Sequence, residues 1–481
     1  MNPAVISVFL FCVLILTVIV RTFLCREKLL EGMKFPDVEF DTATAAERLS
    51  GAIKIPTIAY DDKTKTDMAV FQQFINYLEK AYPVAHQNLT KEVINGLSLL
   101  YHWKGSSGDK KPALFCAHID VVPIEEGTES DWEYPPFSGE VTEDAVWGRG
   151  TQDIKIQLIT LFEAAEALIK KGITPERDIY FAFGHDEETR RNDGADMIAR
   201  HLKQKGLSFE YILDEGGCVI DNGIKGIERP VAFIGIAEKG FVNIRLTASG
   251  EGGHSSMPPE HTASGLVSRA VYMIESKRPS LKLTGAVKEM LGSLAPAMGF
   301  GSRMILSNLW LFSPLFKSIF SKTPSGSAFL RTTLASTMLE GSGAPNVLPL
   351  HAEAVINARI LHGESSDSLK SRLEKMINDK NISIEMNTVY EPSIISPVDS
   401  FGFSCIAGAV RTLWPEAVVS PYLVVGGTDA RKYEGLSDCI YRFSPYRVDN
   451  SEMKQMHGTN EHISIENIKN CVKYYTALFT I

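Results

Sequence analysis

The chain has 481 residues and a formal net charge of −9, with 49 Lys and Arg against 58 Asp and Glu. This length exceeds the size at which one hydrophobic core keeps growing, so two domains are expected. The acidic balance and the absence of a basic stripe argue against nucleic acid as a partner. The seven cysteines form no C-x-x-C pair, which argues against a disulfide scaffold and a thiolate zinc site.

An apolar segment opens the chain. Residues 3–20 form an uncharged run that is followed by Arg21, Arg26 and Lys28. The run just reaches the length of a membrane-spanning helix. No Lys or Arg precedes it and no clear small-x-small cleavage site follows it. Residues 1–25 are therefore predicted to be an uncleaved single-pass anchor rather than a signal peptide.

The side of the membrane stays open. The positive-inside rule would hold the basic flank in the cytoplasm. The sequons Asn88-Leu-Thr and Asn381-Ile-Ser would instead permit glycosylation in a lumen. If the segment were cleaved, the protein would be secreted or lumenal.

Strands and helices alternate after the charged linker that ends near residue 44. The apolar patterns predict strands at 112–118, 178–183 and 209–213, with helices at 153–171 and up to about 205. Such alternation predicts an α/β fold with a mostly parallel sheet covered by helices. Polar residues follow the carboxyl ends of these strands, where open α/β sheets bind ligands.

The pattern changes at about residue 239. Predicted strands at 241–248, 352–360 and 382–390, with a helix at 366–378, make a smaller α+β unit. The predicted organisation is therefore a catalytic domain of residues 46–238 and 392–481, interrupted by a second domain of residues 239–391.

Residues 290–320, inside this second domain, are unusually apolar. Gly, Pro, Ser and Arg303 interrupt the segment too often for it to span a bilayer. Two interpretations remain open. The segment is either additional core, or an apolar surface for a lipid-like substrate or a membrane.

Five side chains are candidate metal ligands: His118, Asp153, Glu188, Asp214 and His457. Two imidazoles and three carboxylates suit zinc, but they are too many for one tetrahedral ion. One carboxylate shared between two ions would resolve the excess. Two such ions would clamp a hydrolytic transition state.

The neighbours of these residues support the same chemistry. Asp120 lies two residues beyond His118 at a strand end, so its carboxylate can accept the second ring N–H of that histidine. Asp153 opens a helix, where it either caps the helix or bridges two cations. The adjacent Glu187 and Glu188 allow one carboxylate to bind metal and the other to act as a general base.

Seven motifs, in their order and spacing, carry a family resemblance. From about residue 46 to the end, the chain resembles the zinc metallopeptidases that include aminoacylase-1, bacterial glutamate carboxypeptidase and carboxypeptidase S. It looks most like the carboxypeptidase S branch, and within it the animal enzymes that hydrolyse and form N-fatty-acyl amino acids. The motifs are HID, GRGTQDIK, GHDEE, ILDEGG, GGHSS, GGTDAR and HGTNE.

The resemblance implies roles for the metal ligands. One zinc ion would take His118 and Asp214, and the other would take Glu188 and His457, with Asp153 between them. Cobalt or manganese would suit the same ligand set. Glu187 would be the general base, and Asp120 would support the ligands.

The resemblance also implies that the second domain is a lid and dimerisation domain. His254 would stabilise the oxyanion, often from a partner subunit. Asn346, Arg359 and Arg431 would bind the substrate, above all its free carboxylate. A homodimer through the lid is therefore compatible with the resemblance.

The resulting functional hypothesis is a di-zinc hydrolase of N-acyl amino acids, with long acyl chains, that can also run in reverse. The first alternative is a carboxypeptidase or dipeptidase acting on short peptides. The second is a membrane-tethered binding protein without catalysis, which the retained ligands and base argue against.

Overall fold

The computed structural model describes residues 2–28 and 31–481. The strands are β1 Thr90–Ile94, β2 Ser98–Trp103, β3 Ala113–His118, β4 Ala145–Trp147, β5 Ile179–Gly184, β6 Tyr211–Asp214, β7 Val219–Ile220, β8 Val231–Glu238, β9 Gly240–Ser249, β10 Gly253–His254, β11 Thr333–Glu340, β12 Val347–Leu348, β13 His351–Ile360, β14 Ile382–Tyr390, β15 Val418–Val424, β16 Ile440–Arg442, β17 Arg447–Val448 and β18 His462–Ser464. The helices are α1 Pro3–Leu24, α2 Thr42–Ile53, α3 Met68–Ala81, α4 Pro83–Asn88, α5 Lys155–Lys170, α6 Ala195–Gln204, α7 Ala263–Ser276, α8 Gly285–Leu294, α9 Phe300–Ser307, α10 Leu309–Phe320, α11 Pro324–Leu330, α12 Ser366–Ile377, α13 Phe401–Leu413 and α14 Ile465–Phe479.

A large sheet carries the central part of the fold. Its strand order is β1-β2-β5-β3-β6-β16-β8-β7-β17, with β15 paired to β8. The central pairs β5–β3, β3–β6 and β6–β16 are parallel, whereas β1–β2 and β2–β5 are antiparallel. Every residue of β3 and β5 is buried, as expected for strands covered on both faces. The predicted α/β fold with covering helices is confirmed. The sheet is mixed, because β8 also pairs antiparallel with β16 and with β7.

The second sheet is smaller and antiparallel, with the order β11-β13-β9-β14. Burial alternates along β13, because one face packs on α7 and α12 and the other faces solvent. All four strands come from residues 240–390, in agreement with the predicted change of pattern near residue 239. The exact domain boundaries at 238 and 391 stay a prediction.

The apolar segment of residues 290–320 is helical. It begins in the last turns of α8 and continues through α9 and α10, which Asn308 separates. Within the described ranges, α1 is the one helix long and apolar enough to cross a membrane. By length and composition, α1 fits either a signal anchor or a signal sequence.

Candidate active site

The candidate ligands gather at one edge of the large sheet. His118 ends β3, Glu187 and Glu188 follow β5, and Glu215 follows β6. Because these three strands are mutually parallel neighbours, their carboxyl ends lie side by side. Asp153 reaches the same place from the loop before α5.

Asp153 lies between two imidazoles. Its Oδ1 is 3.1 Å from His118 Nε2, and its Oδ2 is 2.7 Å from His457 Nε2. Burial raises the pKa of Asp153, but hydrogen bonds from the two histidines outweigh this effect and lower the pKa below its usual range. One carboxylate therefore faces a different histidine with each oxygen, which is the arrangement that a bridging ligand needs.

A further carboxylate accompanies each histidine. Glu215 Oε1 lies 3.3 Å from His118 Nε2, and Glu188 Oε2 lies 3.4 Å from His457 Nε2. Two groups of potential ligand atoms each lie within 4.8 Å of one another, one containing His118, Asp153 and Glu188 and the other His118, Glu187 and Glu215. The potential ligands thus form two half-sites around Asp153.

The chemistry of these groups fits cations. Burial raises the pKa of Glu188, and it raises the pKa of Glu215 to about 8. Among the described residues, the buried Glu188 Oε1 has no hydrogen-bond partner. Buried carboxylates with unsatisfied oxygens are costly unless a proton or a cation neutralises them. Divalent metal ions would satisfy this cluster directly.

Asp120 orders the turn that carries the two glutamates. Its carboxylate accepts the backbone N–H of Glu187 at 3.3 Å and that of Glu188 at 3.0 Å. His118 Nδ1 lies 2.9 Å from the Asp120 carbonyl oxygen and 3.5 Å from the Asp120 carboxylate. The backbone of Asp120 therefore accepts the imidazole N–H, where the sequence pointed to its side chain. Nε2 of His118 therefore faces the cluster.

Glu461 joins the two distant segments of the site. Its carboxylate accepts the backbone N–H groups of Gly150 and Gln152 at 3.0 and 2.8 Å, and that of Asp153 at 3.2 Å. It also pairs with Arg149 at 2.6 Å. This buried carboxylate fixes the Asp153 loop against the segment that carries His457. It belongs to the quoted motif HGTNE, but no role was predicted for it.

A cleft adjoins the cluster, and Glu187 lines it. Four cationic side chains and two aromatic rings line it as well: Arg190, Arg359, Arg431, Lys432, Phe241 and Tyr390. The pKa of Glu187 is raised well above its ordinary value, first by burial and then by neighbouring carboxylates, although His118 opposes the change. The cleft therefore places a potential proton acceptor beside a concentration of positive charge.

Two arginines in the cleft have spare donors. In the described part of the chain, the buried Nη1 atoms of Arg359 and Arg431 have no hydrogen-bond partner. Arg359 stacks over Phe241, with Cζ 4.8 Å from the ring centroid. Burial, together with Arg190 and Arg431, lowers the pKa of Arg359 to about 10. An anionic group would satisfy both donors and relieve the repulsion between these cations.

His254 and Asn346 lie elsewhere. Both are exposed, on the short pairing of β10 with β12 in which His254 is opposite Val347. The ring of His254 hydrogen-bonds to Ser256 at 2.7 Å, and the Asn346 carbonyl accepts the N–H of Ser255 at 3.1 Å. The single chain thus does not bring these two residues into contact with the carboxylate cluster.

Comparisons with known proteins identify the family of this chain. The sequence profile of peptidase family M20/M25/M40 matches residues 114–480, which is most of the chain. The chain belongs to this family. It is accordingly a metallopeptidase-type amidohydrolase, and the candidate ligands lie within the matched region.

Relatives of two kinds are similar to this M20 protein. The N-fatty-acyl-amino acid synthase/hydrolase PM20D1.1 of Danio rerio is 36% identical over 94% of the chain and 85% of the relative. Carboxypeptidase S of Saccharomyces cerevisiae is 33% identical over 88% of the chain and 81% of the relative. The solved structure of the M20 family metallo-carboxypeptidase Sso-CP2 from Sulfolobus solfataricus has a TM-score of 0.68 at 16% identity, covering 90% of this chain and 98% of that one. This last likeness concerns the fold.

In the M20 site Glu215, which follows the predicted ligand Asp214, has the carboxylate that lies near His118. Adjacent residues at a strand end project to opposite sides, and Glu215 is the one that reaches His118. Asp214 is buried outside both groups of potential ligand atoms. Burial raises its pKa to about 6, and Glu238 adds to the effect. Among the described residues, Asp214 Oδ2 has no hydrogen-bond partner. Glu215 is thus a second candidate ligand beside Asp214, whose role stays a prediction.

Glu238 binds Arg431, one of the arginines that line the cleft. It is fully buried, and its carboxylate accepts Arg442 Nε at 2.7 Å, Arg431 Nε at 2.9 Å and the Thr428 hydroxyl at 2.6 Å. Burial alone would raise the pKa of Glu238, but Arg442 and Arg431 outweigh it and lower the pKa to about 2. Glu238 thus hydrogen-bonds to one side of the Arg431 guanidinium group. Among the residues that the structure describes, Nη1 of that group has no hydrogen-bond partner.

We predict an acid-dependent loss of stability from this network. The folded pKa of Glu238 lies below its ordinary value of 4.5, so the ionised carboxylate stabilises the fold above that pH and loses this effect as the pH falls toward 2. The shift corresponds to about 3 kcal/mol. Glu238→Gln should lower the free energy of unfolding by about 3–5 kcal/mol at pH 7, because two arginines lose their partner.

Urea unfolding in detergent at pH 6 and at pH 3 would measure this effect. The difference in free energy of unfolding between the natural protein and Glu238→Gln should be smaller at pH 3 than at pH 6. Glu466→Gln, which removes an exposed pair with Lys469, is the matched control and should leave stability unchanged. If this difference were the same at both pH values, the stabilising role of the ionised Glu238 carboxylate would be contradicted.

Proposed function

We propose that this M20 protein is a two-metal hydrolase of N-acyl amino acids with long acyl chains. Water would be added across the amide bond to give a carboxylic acid and a free amino acid, and the same site would catalyse the reverse reaction. The observation that carries the proposal is the shared cleft, in which Glu187 and the unpaired donors of Arg359 and Arg431 face one space. The Danio rerio relative supports the choice of acyl chain.

The metal site follows from the two half-sites. His118 and Glu215 would hold one ion, His457 and Glu188 the other, and Asp153 would serve both. We take the ions to be zinc, although this ligand set also suits cobalt and manganese. When bound, such ions supply Lewis-acid polarisation and activate water. The protein's contribution is to hold the ligands rigidly, through the Asp120 and Glu461 hydrogen bonds.

Glu187 is the proposed general base. Its half-buried carboxylate lines the cleft, and burial together with neighbouring carboxylates raises its pKa. Its raised pKa suits a group that takes a proton from water and returns it to the leaving nitrogen. Returning that proton is essential, because an amide nitrogen leaves only when it is protonated.

Arg359 and Arg431 are the proposed carboxylate binders. A free amino acid product carries a carboxylate next to the scissile amide, so an arginine cluster beside Glu187 would orient that end of the substrate. His254 stays the proposed oxyanion-stabilising residue, and Asn346 stays a proposed substrate-binding residue. Since both are exposed in the single chain, they would have to reach a site by lid movement or from a partner subunit.

A carboxypeptidase acting on short peptides is the alternative, and the likeness to yeast carboxypeptidase S favours it. The arginine cluster fits both functions, because a peptide also ends in a free carboxylate. The two functions differ only in what occupies the acyl side of the scissile bond.

A substrate panel should separate the two functions. We expect oleoyl-Phe to be hydrolysed with a higher kcat/KM than acetyl-Phe or Gly-Leu. Oleoyl-phenylalaninamide is the matched control and should be a poor substrate, since it lacks the carboxylate. Faster turnover of Gly-Leu than of oleoyl-Phe would favour the carboxypeptidase.

Glu187→Gln should lower kcat by at least roughly 10²-fold, because the amide cannot accept a proton. The metal content should stay the same, since Glu187 is not among the five proposed ligands. Kinetics and elemental analysis on the same preparation would test both statements. Near-normal activity in this variant would exclude Glu187 as the base.

The choice between Glu215 and Asp214 can be tested by metal content. Glu215→Gln should lower metal affinity by at least about tenfold, because a ligand is lost, and Asp214→Asn should retain its metal. Elemental analysis after dialysis against a weak chelator would compare the two variants. The opposite order would return the ligand role to Asp214.

A further inference from the structure

One face of α10 is both exposed and free of charge. Its exposed residues recur with helical spacing and form a single stripe, which we call the apolar platform: Trp310, Leu311, Pro314, Leu315, Ser318 and Ile319. Trp310 and Ile319 are each 56% exposed, and Leu315 is 51% exposed. Lys317, the charged residue of α10, lies off this stripe, and its Nζ reaches the Leu281 carbonyl at 3.4 Å. Such a stripe on a soluble surface normally has a partner.

The neighbour of this helix pair is α1. Phe300, at the start of α9, packs against Phe23 with ring centroids 5.8 Å apart. Asn308, between α9 and α10, is fully buried and donates to the Val18 carbonyl at 3.2 Å and to the Thr22 hydroxyl at 3.3 Å. Thr22 is buried as well. A polar side chain buried among apolar helices and satisfied by α1 fixes the position of α1 relative to the platform.

These contacts lie on the carboxyl-terminal half of α1. The helix has 22 residues and is about 33 Å long, close to the roughly 30 Å of a bilayer's hydrocarbon core. The amino-terminal half is exposed and apolar on all sides, with Val8, Phe9 and Leu10 about 60% exposed. If α1 spans a bilayer, its carboxyl-terminal turns lie near one interface, and the platform lies at the same depth.

We propose that the apolar platform enters this leaflet beside α1, as an interfacial membrane surface. An amphipathic helix with a tryptophan at its exposed face is suited to the boundary between headgroups and acyl chains. The platform adjoins α1, which is long enough to span a bilayer. We therefore favour a bilayer as the partner of the platform over a free acyl substrate or a second copy of the chain. The inference also requires that α1 is retained in the mature protein as an anchor. It does not depend on the proposed activity.

Fluorescence quenching by brominated lipid would test the proposal. The full chain would be reconstituted in phosphatidylcholine vesicles with or without brominated acyl chains. The emission of Trp310 is obtained as the difference between the natural protein and Trp310→Phe. We expect this difference to lose most of its intensity in brominated vesicles. Leu315→Trp in the Trp310→Phe background should be quenched in the same way.

A matched control places tryptophan on an exposed site of the lid. Tyr272 on α7 is 72% exposed, and Tyr272→Trp in the Trp310→Phe background should keep its emission. Equal emission from Trp310 in both vesicle types would overturn the proposal and favour a second copy of the chain over the platform. Equal quenching of the Tyr272 and Trp310 positions would also overturn it, because the effect would not be specific to the platform.

Discussion

The need to neutralise buried negative charge dominates this structure. Asp153, Glu187, Glu188 and Glu215 converge on two imidazoles at the carboxyl end of the large sheet, and Asp120 lies directly behind them. Such a concentration of carboxylates costs several kcal/mol for each ionised group unless protons or cations compensate it. Because Asp153 lies between the two histidines, the positive charge that neutralises the cluster can be divided between two positions. The proposed metals, and the hydrolytic chemistry they enable, follow from this constraint.

The adjoining cleft has the opposite charge, and Glu238 sets how much of that charge is free. This residue neutralises Arg442 and one edge of Arg431, so the fold can bury both guanidinium groups. Within residues 2–28 and 31–481, the Nη1 atoms of Arg431 and Arg359 both have no hydrogen-bond partner. A negative cluster for cations and a positive cleft for a carboxylate thus lie on either side of Glu187. This separation of charge would give the proposed substrate one orientation.

Much of this arrangement could be predicted from the sequence, because it depends on local patterns. The buried strand before His118 and the apolar run of α1 were both recognisable, and the family motifs identified the general type of site. The choice between Asp214 and Glu215 was not predictable in this way, because it depends on where β6 ends and which side each residue then faces. The exposed face of α10 could be recognised only from the structure, because composition does not distinguish a buried apolar face from an exposed one.

The way Glu461 and His457 complete the site has a consequence for biosynthesis. Apart from His457, every proposed metal ligand lies before residue 216. The Asp153 loop nevertheless hydrogen-bonds to the carboxylate of Glu461, more than three hundred positions later. During translation, the large sheet can therefore begin to assemble long before its active centre exists. The proposed active centre therefore stays incomplete until the segment that carries these two residues has been synthesised.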